Sequence, residues 1–250
     1  MDYLKLDGKV VVITGGARGI GECAALLFGK YGAVVVILDK RDELGEGVVA
    51  KIRESGGHAS YKNCDVTNPA AVKAVVDGII AEYGRIDVLI SNAGAGANRA
   101  WVEEITDEEW YRILEIDLKS CFNMCRAVVP HMKQNKYGKI VISSSGGGVA
   151  GMALNSHYSA AKGGLIAFAK SLCWELAEFN INVNAIAIPS VVTPGSFDVD
   201  YDDDMDSELP EIPMRRLGIP EDVANLMLYL SSDVSSYVSG QAMAPNGGKR

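Results

Sequence analysis

The sequence predicts an α/β protein built on a doubly wound parallel sheet of about seven strands, with helices on both faces. Short, continuously apolar runs alternate with longer amphipathic runs along the 250 residues. This alternation is typical of buried parallel strands that are each followed by a helix. A glycine-rich turn joins the first strand to the first helix, as in sheets that bind nucleotides. No linker, repeat or shift in composition divides the chain, so we expect residues 1–250 to form one domain.

The individual elements follow from the period of their apolar residues. Short apolar, β-branched runs predict strands, and longer runs with apolar residues every three or four positions predict helices. The expected strands span residues 9–14, 33–38, 58–64, 86–91, 138–145, 181–187 and 241–245. The expected helices span residues 20–30, 42–54, 69–83, 107–132, 158–176 and 220–230.

The composition and net charge of the chain disfavour some classes of binding partner. Apolar residues make up 48% of the chain and charged residues 22%, as in ordinary globular proteins. The net charge of −8 disfavours nucleic acid and anionic membranes, because both would be repelled. No apolar run reaches the roughly 18 residues of a membrane helix, and the first residues lack a signal-peptide pattern, so we expect a cytoplasmic protein. The five cysteines lack paired spacing, which predicts neither disulfides nor zinc.

The first turn predicts a dinucleotide site. It reads Thr-Gly-Gly-Ala-Arg-Gly-Ile-Gly over residues 14–21, directly after a strand and directly before a helix. Glycines let the backbone turn tightly and approach a pyrophosphate, which then lies at the helix N-terminus, where free N–H groups and the helix dipole favour an anion. The expected contacts come from Gly15, Arg18, Gly19, Ile20 and Gly21.

Asp39 indicates which dinucleotide binds. It ends the second strand, eighteen residues after Gly21, where a carboxylate accepts hydrogen bonds from both ribose hydroxyls of NAD and repels a 2′-phosphate. Arg18, Lys40 and Arg41 lie close enough in sequence to make NADP the alternative. We therefore expect NAD as the cofactor, in preference to NADP.

A second motif carries the chemistry. Ser145 ends an apolar strand, and Tyr158 and Lys162 follow one helical turn apart, on one face of a helix. A free phenol titrates near pH 10, and an ammonium group a few ångströms away favours the phenolate. The pair can then move a proton at neutral pH, while the Ser145 hydroxyl holds a substrate oxygen. Because no nucleophile lies beside a base here, hydride transfer fits the stretch better than hydrolysis.

Together these motifs resemble the short-chain dehydrogenase/reductase family over essentially the whole chain. Residues 14–21 match the family's Thr-Gly-x-x-x-Gly-x-Gly, and Ser145, Tyr158 and Lys162 match its serine and its Tyr-x-x-x-Lys. The resemblance implies a Rossmann-like fold and places Tyr158 and Lys162 against the cofactor. It also implies cofactor contacts from Asp65, Val66, Asn92, Ala93 and Gly94.

Two positions depart from the family pattern. Asp117 stands where the family usually has an asparagine that helps hold a water linking the active-site lysine to solvent. A carboxylate near Lys162 favours its ammonium form, and it either maintains the proton relay or weakens the effect of Lys162 on Tyr158; our hypothesis is that Asp117 takes part in the relay as a catalytic residue. Ile188-Pro189 replaces the usual Pro-Gly. By resemblance, Val191 and Thr193 hold the cofactor carboxamide.

The substrate surroundings are less defined. By resemblance, residues 190–217 form a substrate lid loop. Eight acidic residues lie between Asp198 and Glu211, either as a solvated charge run or as a rim that disfavours acidic substrates, and they lack the spacing of a calcium loop. We expect no metal site. We expect His157 and residues 152–154 to border the substrate, and the glycines at 146–148 to leave room for a cyclic substrate such as a steroid or ring ketone.

The sequence therefore predicts an NAD-dependent oxidoreductase that transfers a hydride between the cofactor and a small-molecule secondary alcohol or ketone. Two alternatives stay open: an NADPH-dependent 3-oxoacyl reductase, against which Asp39 argues, and a non-catalytic nucleotide-binding regulator, against which the intact Ser145, Tyr158 and Lys162 argue. The resemblance also implies pairing between subunits through the helices at 107–132 and 158–176, which gives a homodimer or homotetramer.

Overall fold

The computed structural model describes residues 3–192 and 209–249. Within them, seven parallel strands form one sheet in the order β3-β2-β1-β4-β5-β6-β7, which confirms the predicted fold class. The strands are β1 Val10–Thr14, β2 Val34–Asp39, β3 His58–Asn63, β4 Val88–Ser91, β5 Gly138–Ser145, β6 Ile181–Ile188 and β7 Ala242–Met243.

The helices follow the strands in the expected alternation, and several have recognisable ends. The Asn68 side chain accepts hydrogen bonds from the backbone N–H groups of Ala70 and Ala71 and so caps α3, which begins with proline and ends at a left-handed glycine, Gly84. The helices are α1 Gly19–Lys30, α2 Asp42–Glu54, α3 Pro69–Tyr83, α4 Asp107–Ile113, α5 Ser120–Asn135, α6 Gly147–Ala150, α7 Ser156–Leu176 and α8 Pro220–Ser231.

The core lies in two layers, one on each face of the sheet. Alternate side chains of each strand point to opposite faces: Val10 and Val12 pack with α3, α5 and α7, whereas Val11 and Ile13 pack with α1, α2 and α8. Both faces of the central strands are therefore buried, which is why these strands read as continuous apolar runs.

The strand order reverses between β1 and β4, and this places the site. From β1 the chain builds outward to β2 and β3, then crosses back to build β4, β5 and β6 on the other side. Such a switch point opens a crevice beyond the carboxyl ends of the strands. The predicted site residues Asp39 and Ser145 end β2 and β5, so both lie at this edge.

The expected helix at 107–132 differs from the structure. It consists of α4, a π-helical turn Leu114–Lys119 and α5, which continues to Asn135. The π turn contains Asp117, which is buried. Such turns are rare and are frequently found at functional sites.

The short helix α6 was not expected, and it changes the interpretation of the three glycines. A Cβ on Gly148 would lie 2.6 Å from the carbonyl carbon of Lys162 and 2.8 Å from the backbone nitrogen of Gly163. Gly148 therefore serves close packing of α6 on α7, and our expectation that it opens the pocket was wrong. A Cβ on Gly146 or Gly147 would make ordinary contacts.

Among the residues described, we find no helix with the length and apolar character that a membrane span requires.

Candidate active site

Lys162 lies enclosed on α7 between an acid and a phenol. Its ammonium is 3.2 Å from Oδ1 of Asp117 and 5.4 Å from the centre of the Tyr158 ring, and it donates to the carbonyl oxygen of Ser143 at 3.4 Å. Burial lowers the pKa of Lys162, but the Asp117 carboxylate, together with the neighbouring Tyr158 and Cys121, outweighs burial and raises that pKa above its ordinary value. A positive charge is therefore held beside the phenol.

Asp117 reaches Lys162 from the π-helical turn. Its Oδ1 also accepts a hydrogen bond from the backbone N–H of Ala95 at 3.0 Å, which ties the turn to the segment after β4. Oδ2 is buried and has no partner among the described residues. Buried carboxylate oxygens are rarely left unpaired, so Asp117 has the capacity to accept a further hydrogen bond next to Lys162.

Ser145 and Tyr158 are brought to the same edge by contacts between β5 and α7. The Ser144 hydroxyl donates to the carbonyl oxygen of Lys162 at 2.7 Å, and Ser145 is the next residue. The Ser145 side chain accepts a hydrogen bond from the backbone N–H of Gly147 at 3.1 Å. Its hydroxyl hydrogen stays available to a substrate oxygen. Tyr158 is partly exposed in the first turn of α7.

The glycine turn has the form that a pyrophosphate requires. Gly15 and Gly19 adopt left-handed backbone angles, with φ of 65° and 57°. A Cβ on Gly21 would collide with the carbonyl oxygen of Gly15. Arg18 is the N-cap residue of α1, and no side chain of the described part caps this helix. The first N–H groups of α1, which include that of Ile20, are thus suited to bind an anion, and the turn fits a dinucleotide.

Asp39 and Asp65 end or follow the two strands beside the turn. Burial alone would raise the pKa of Asp39, but the Arg41 guanidinium and nearby backbone N–H groups lower it below its ordinary value. The Asp65 carboxylate accepts hydrogen bonds from the backbone and hydroxyl of Thr67, which lower its pKa. Both groups are anionic at neutral pH.

Val66 is held by a residue that the sequence did not single out. Its carbonyl oxygen accepts a hydrogen bond from Nδ2 of Asn123 at 3.1 Å, and the same amide nitrogen contacts the carbonyl of Thr67 at 3.3 Å. Asn123 is buried on α5, so it fixes the segment that follows β3. A single asparagine within a helix has no sequence signal for this role.

The segment Asn92 to Gly94 joins the two halves of the site. The Thr14 hydroxyl oxygen accepts hydrogen bonds from the backbone N–H groups of Asn92 and Ala93 at 2.9 and 3.0 Å. A Cβ on Gly94 would lie 2.5 Å from Oδ1 of Asp117. The segment therefore borders the glycine turn on one side and the Asp117–Lys162 pair on the other.

The segment after β6 is described only in part. The Ile188 carbonyl accepts a hydrogen bond from the backbone N–H of Gly146 at 2.9 Å, and Val191 forms a parallel bridge with Gly218. The expected lid loop spans residues 190–217, and its residues 193–208, which include Thr193, lie outside the described residues.

We expected His157 to border the substrate, but its side chain is closed off from solvent. It is fully buried, neither ring nitrogen has a hydrogen-bond partner in the described part, and Nε2 lies 3.7 Å from Oε1 of Glu109. Glu109 is held by Arg112 at 2.6 and 2.8 Å and by the backbone N–H of Asn98 at 3.2 Å. The hydrogen bond from Arg112 lowers the pKa of Glu109 to about 2. The three-residue spacing of Glu109 and Arg112 was the available signal for this pair.

Comparison with known proteins identifies the family. A family model described as enoyl-(acyl carrier protein) reductase matches residues 15–250. The 3-oxoacyl-(acyl-carrier-protein) reductase FabG of Thermotoga maritima is 38% identical, over 98% of this chain and 99% of that protein. The cyclopentanol dehydrogenase of Comamonas sp. is 36% identical over 98% of each. The chain belongs to the short-chain dehydrogenase/reductase family.

Solved structures agree over nearly the full length. A 7α-hydroxysteroid dehydrogenase complexed with NADH and 7-oxo glycochenodeoxycholic acid has a TM-score of 0.95 and 33% identity, covering 99% of this chain and 96% of that one. Levodione reductase has a TM-score of 0.94 and 28% identity, covering 98% of both chains. As a short-chain dehydrogenase/reductase, the protein is an oxidoreductase that acts on alcohol or keto groups with a nicotinamide coenzyme.

Proposed function

We propose that this short-chain dehydrogenase/reductase is an NAD-dependent enzyme that interconverts a secondary alcohol and a ketone. The observation that carries the proposal is the enclosed ammonium of Lys162, fixed by Asp117 and directed at the Tyr158 ring. Such a group has little purpose in a protein that only binds a nucleotide. It suits a site where a phenol must give up and regain a proton.

Four side chains position the substrate and move its proton. When bound, the coenzyme supplies or accepts the hydride. Ser145 donates a hydrogen bond to the substrate oxygen. Tyr158 takes the hydroxyl proton during oxidation and returns it during reduction, and the Lys162 charge stabilises the phenolate. Asp117 keeps Lys162 cationic, and its Oδ2, which has no hydrogen-bond partner among the described residues, gives the proton relay a further acceptor beside Lys162.

The coenzyme site follows from the glycine turn and the strand ends. Gly15, Gly19, Ile20 and Gly21 would hold the pyrophosphate, with Arg18 beside it, and Asp39 would accept hydrogen bonds from the ribose. The segments at Asp65, Val66 and Asn92–Gly94 would border the adenosine and nicotinamide halves, and Tyr158, Lys162, Val191 and Thr193 the nicotinamide end. The buried negative charge of Asp39 favours NAD over NADP, because a 2′-phosphate would be repelled.

An exposed apolar side chain close to Ser145 supports an apolar, cyclic substrate. Met152 lies near Ser145, because a Cβ added to Gly147 would be 3.4 Å from Cε of Met152 and 3.6 Å from Oγ of Ser145, and Met152 is 48% exposed. Small-molecule sites are typically lined by apolar side chains with a few polar groups among them. The relatives include a cyclopentanol dehydrogenase and a hydroxysteroid dehydrogenase, whose named substrates are cyclic alcohols.

A second candidate function is the reduction of a 3-oxoacyl thioester with NADPH. The similarity to 3-oxoacyl-(acyl-carrier-protein) reductases favours it, as do the cations of Arg18, Lys40 and Arg41 near the ribose site. The charge of Asp39 opposes it. A non-catalytic regulator would explain Asp117 and Ile188-Pro189 but leaves the enclosed Lys162 without a role.

A substrate and coenzyme panel separates these functions. The purified protein is assayed by absorbance at the NADH band with cyclic alcohols, linear secondary alcohols and a 3-oxoacyl thioester, each with both coenzymes. We expect kcat/KM to be highest for a cyclic secondary alcohol or ketone with the NAD couple. Turnover confined to the thioester with NADPH would favour the second candidate, and coenzyme binding without turnover would favour the regulator.

A further inference from the structure

Two charged side chains of α4 hold the loop that follows β4, residues 95–100. The Glu109 carboxylate accepts a hydrogen bond from the backbone N–H of Asn98 at 3.2 Å, and the Arg112 guanidinium donates to the carbonyl oxygen of Gly96 at 3.0 Å. Arg112 also donates from Nε and Nη2 to the two carboxylate oxygens of Glu109, at 2.6 and 2.8 Å, as a bidentate fork. We call these two side chains the loop clamp, because together they bind the middle of the loop at two backbone groups.

The ends of the loop are bound beside the catalytic groups. At its start, the backbone N–H of Ala95 donates to Oδ1 of Asp117 at 3.0 Å, and this oxygen also pairs with Lys162 at 3.2 Å. At its end, the backbone N–H of Ala100 donates to the carbonyl oxygen of Leu154 at 2.9 Å. Leu154 belongs to the segment between α6 and α7. The loop therefore runs from the lysine of the active site to the segment that leads into the catalytic helix.

The attachment at Leu154 is made to a turn that leads towards the site. The backbone N–H of Asn155 donates to the carbonyl oxygen of Met152 at 3.2 Å, which closes a four-residue turn. Leu154, the third residue, has a φ of 61°, a left-handed angle that glycine and asparagine adopt far more readily than leucine. Such angles persist where surrounding contacts impose them, and they cluster at functional sites. Met152 lies near Ser145, so the loop ends against a turn whose first residue is near the serine hydroxyl.

We propose that Glu109 and Arg112 are positioning residues for the substrate: through the loop clamp they hold residues 95–100 as a fixed wall of the substrate site, between Lys162 and the turn at Met152. The inference rests on the proposed function, because it takes the space beside Tyr158 as the substrate site. The clamp acts through the loop and not by touching the substrate. Without it, the middle of the loop loses two attachments while both ends keep theirs.

The clamp depends on both of its side chains. The Glu109 side chain is 16% exposed and that of Arg112 37%, and Nε2 of His157 on α7 lies 3.7 Å from the Glu109 carboxylate. Glutamine at position 109 would carry one acceptor oxygen and no charge, so it cannot receive both arms of the fork, and its remaining hydrogen bonds lose their charge assistance. Loss of Arg112 removes the Gly96 contact and leaves the carboxylate without its cation. Either substitution therefore weakens the hold on the loop.

A loosened wall affects substrate binding and leaves the chemical groups in place. Lys162 stays bound to Asp117 and Ser143, and Tyr158 is fixed by α7. A variant that raises KM with kcat unchanged has lost binding that is made equally in the ground state and the transition state. We therefore expect the clamp variants to have a raised KM for the alcohol, a nearly unchanged kcat and an unchanged Kd for NADH.

Kinetics and hydrogen exchange together test the inference. The unmodified protein, Glu109→Gln and Arg112→Gln are assayed with NAD and cyclopentanol, or with a cyclic alcohol of the substrate panel that has a higher kcat/KM, and amide exchange of residues 95–100 is followed by mass spectrometry. We expect KM to rise about tenfold, loop exchange to accelerate about tenfold and kcat to stay within about twofold.

Arg85→Gln is the matched control. Arg85 pairs with the buried Asp87 just before β4, at the opposite edge of the sheet. Its replacement also removes the cation of an arginine–carboxylate pair, so it should lower the melting temperature. It should leave KM and the exchange of residues 95–100 unchanged.

The results separate the inference from the proposed function. Faster loop exchange with an unchanged KM would show that the loop is not a wall of the substrate site, and unchanged exchange would show that the clamp does not hold it; either result overturns the inference. A KM raised equally in Arg85→Gln would also overturn it, because the effect would follow stability alone. If the unmodified protein turns over no alcohol or ketone, the proposed function fails and the inference fails with it. Arg112→Lys keeps the charge but not the fork, so a smaller rise in KM decides the question if Arg112→Gln does not fold.

Discussion

Asp117 stands where the family usually has an asparagine, and this difference changes the charge beside Lys162. It forms a buried ion pair with Lys162, with only 1% of Asp117 and 6% of Lys162 exposed. Desolvation of two charges costs about as much as their attraction returns, so a buried pair is weak evidence for stability. The pair is better explained by function, because it holds an ammonium group beside Tyr158.

Replacing the acid with the family's amide should shift the alkaline limit of activity. Without the carboxylate, burial lowers the pKa of Lys162, so the ammonium is lost at a lower pH than in the unmodified enzyme. We expect the alkaline limb of the kcat/KM profile of Asp117→Asn to move to lower pH, with activity near pH 7 largely retained. An identical profile for the two proteins would remove the special role of Asp117.

The Glu109–Arg112 pair predicts a pH-dependent contribution to folding. Because the hydrogen bond from Arg112 lowers the pKa of Glu109 to about 2 in the folded protein, against about 4.3 for a free glutamate, its stabilisation is complete above pH 4.3 and is lost as the pH falls towards 2. In urea unfolding, the stability advantage of the unmodified protein over Glu109→Gln should therefore shrink from pH 6 to pH 3. A constant difference would contradict this assignment.

Two features of the helices near the site, the π-helical turn and α6, could not be predicted from the apolar pattern of the sequence. The π-helical turn between α4 and α5 brings Asp117 to Lys162, and α6 packs on α7 through Gly148. An extra residue per turn leaves the apolar period almost unchanged over so short a stretch, so residues 107–132 read as one helix. The approach of α6 depends on a backbone contact between distant residues.

Two glycine substitutions test this packing. Gly148→Ala should cost about 1–3 kcal/mol of folding free energy, because the added Cβ overlaps the backbone of α7. Gly78→Ala, in the exposed middle of α3 where a Cβ meets nothing within 4 Å, should add about 0.5–1 kcal/mol. The melting temperature measured by calorimetry should therefore fall for Gly148→Ala and rise for Gly78→Ala. Equal melting temperatures would show that α6 adjusts freely.

Most of the sheet could be predicted from the sequence, because its strands and their ends are visible as local patterns. Strand runs, the strand-to-helix alternation and the residues that end β1, β2 and β5 are local patterns, and they predicted the fold and the positions of Thr14, Asp39 and Ser145. Contacts between distant residues could not be predicted. His157 was expected at the pocket but is buried beside Glu109, and nothing in the sequence indicated that Arg41 folds back onto Asp39.

Exposed aromatic side chains on the helices near the site suit an interface between subunits. We propose a cytoplasmic homodimer or homotetramer that pairs through α4, α5 and α7, where Tyr111, Phe122 and Trp174 are 67%, 42% and 86% exposed. Sedimentation should give a mass two or four times that of one chain, and Phe122→Glu should shift it towards monomer. Leu44→Glu, at a 50% exposed position of α2, is the control. A monomeric unmodified protein would contradict the proposal.

Proton transfer by Tyr158 is the step on which the proposed function depends, and Tyr158→Phe removes the group that carries the proton. The substitution removes the hydroxyl and leaves the ring that lies beside Lys162. With the best substrate found, we expect kcat to fall about 10²- to 10⁴-fold while the Kd for NADH, measured by fluorescence, changes little. If the Tyr158→Phe enzyme turns over as fast as the unmodified enzyme, Tyr158 is not the proton carrier.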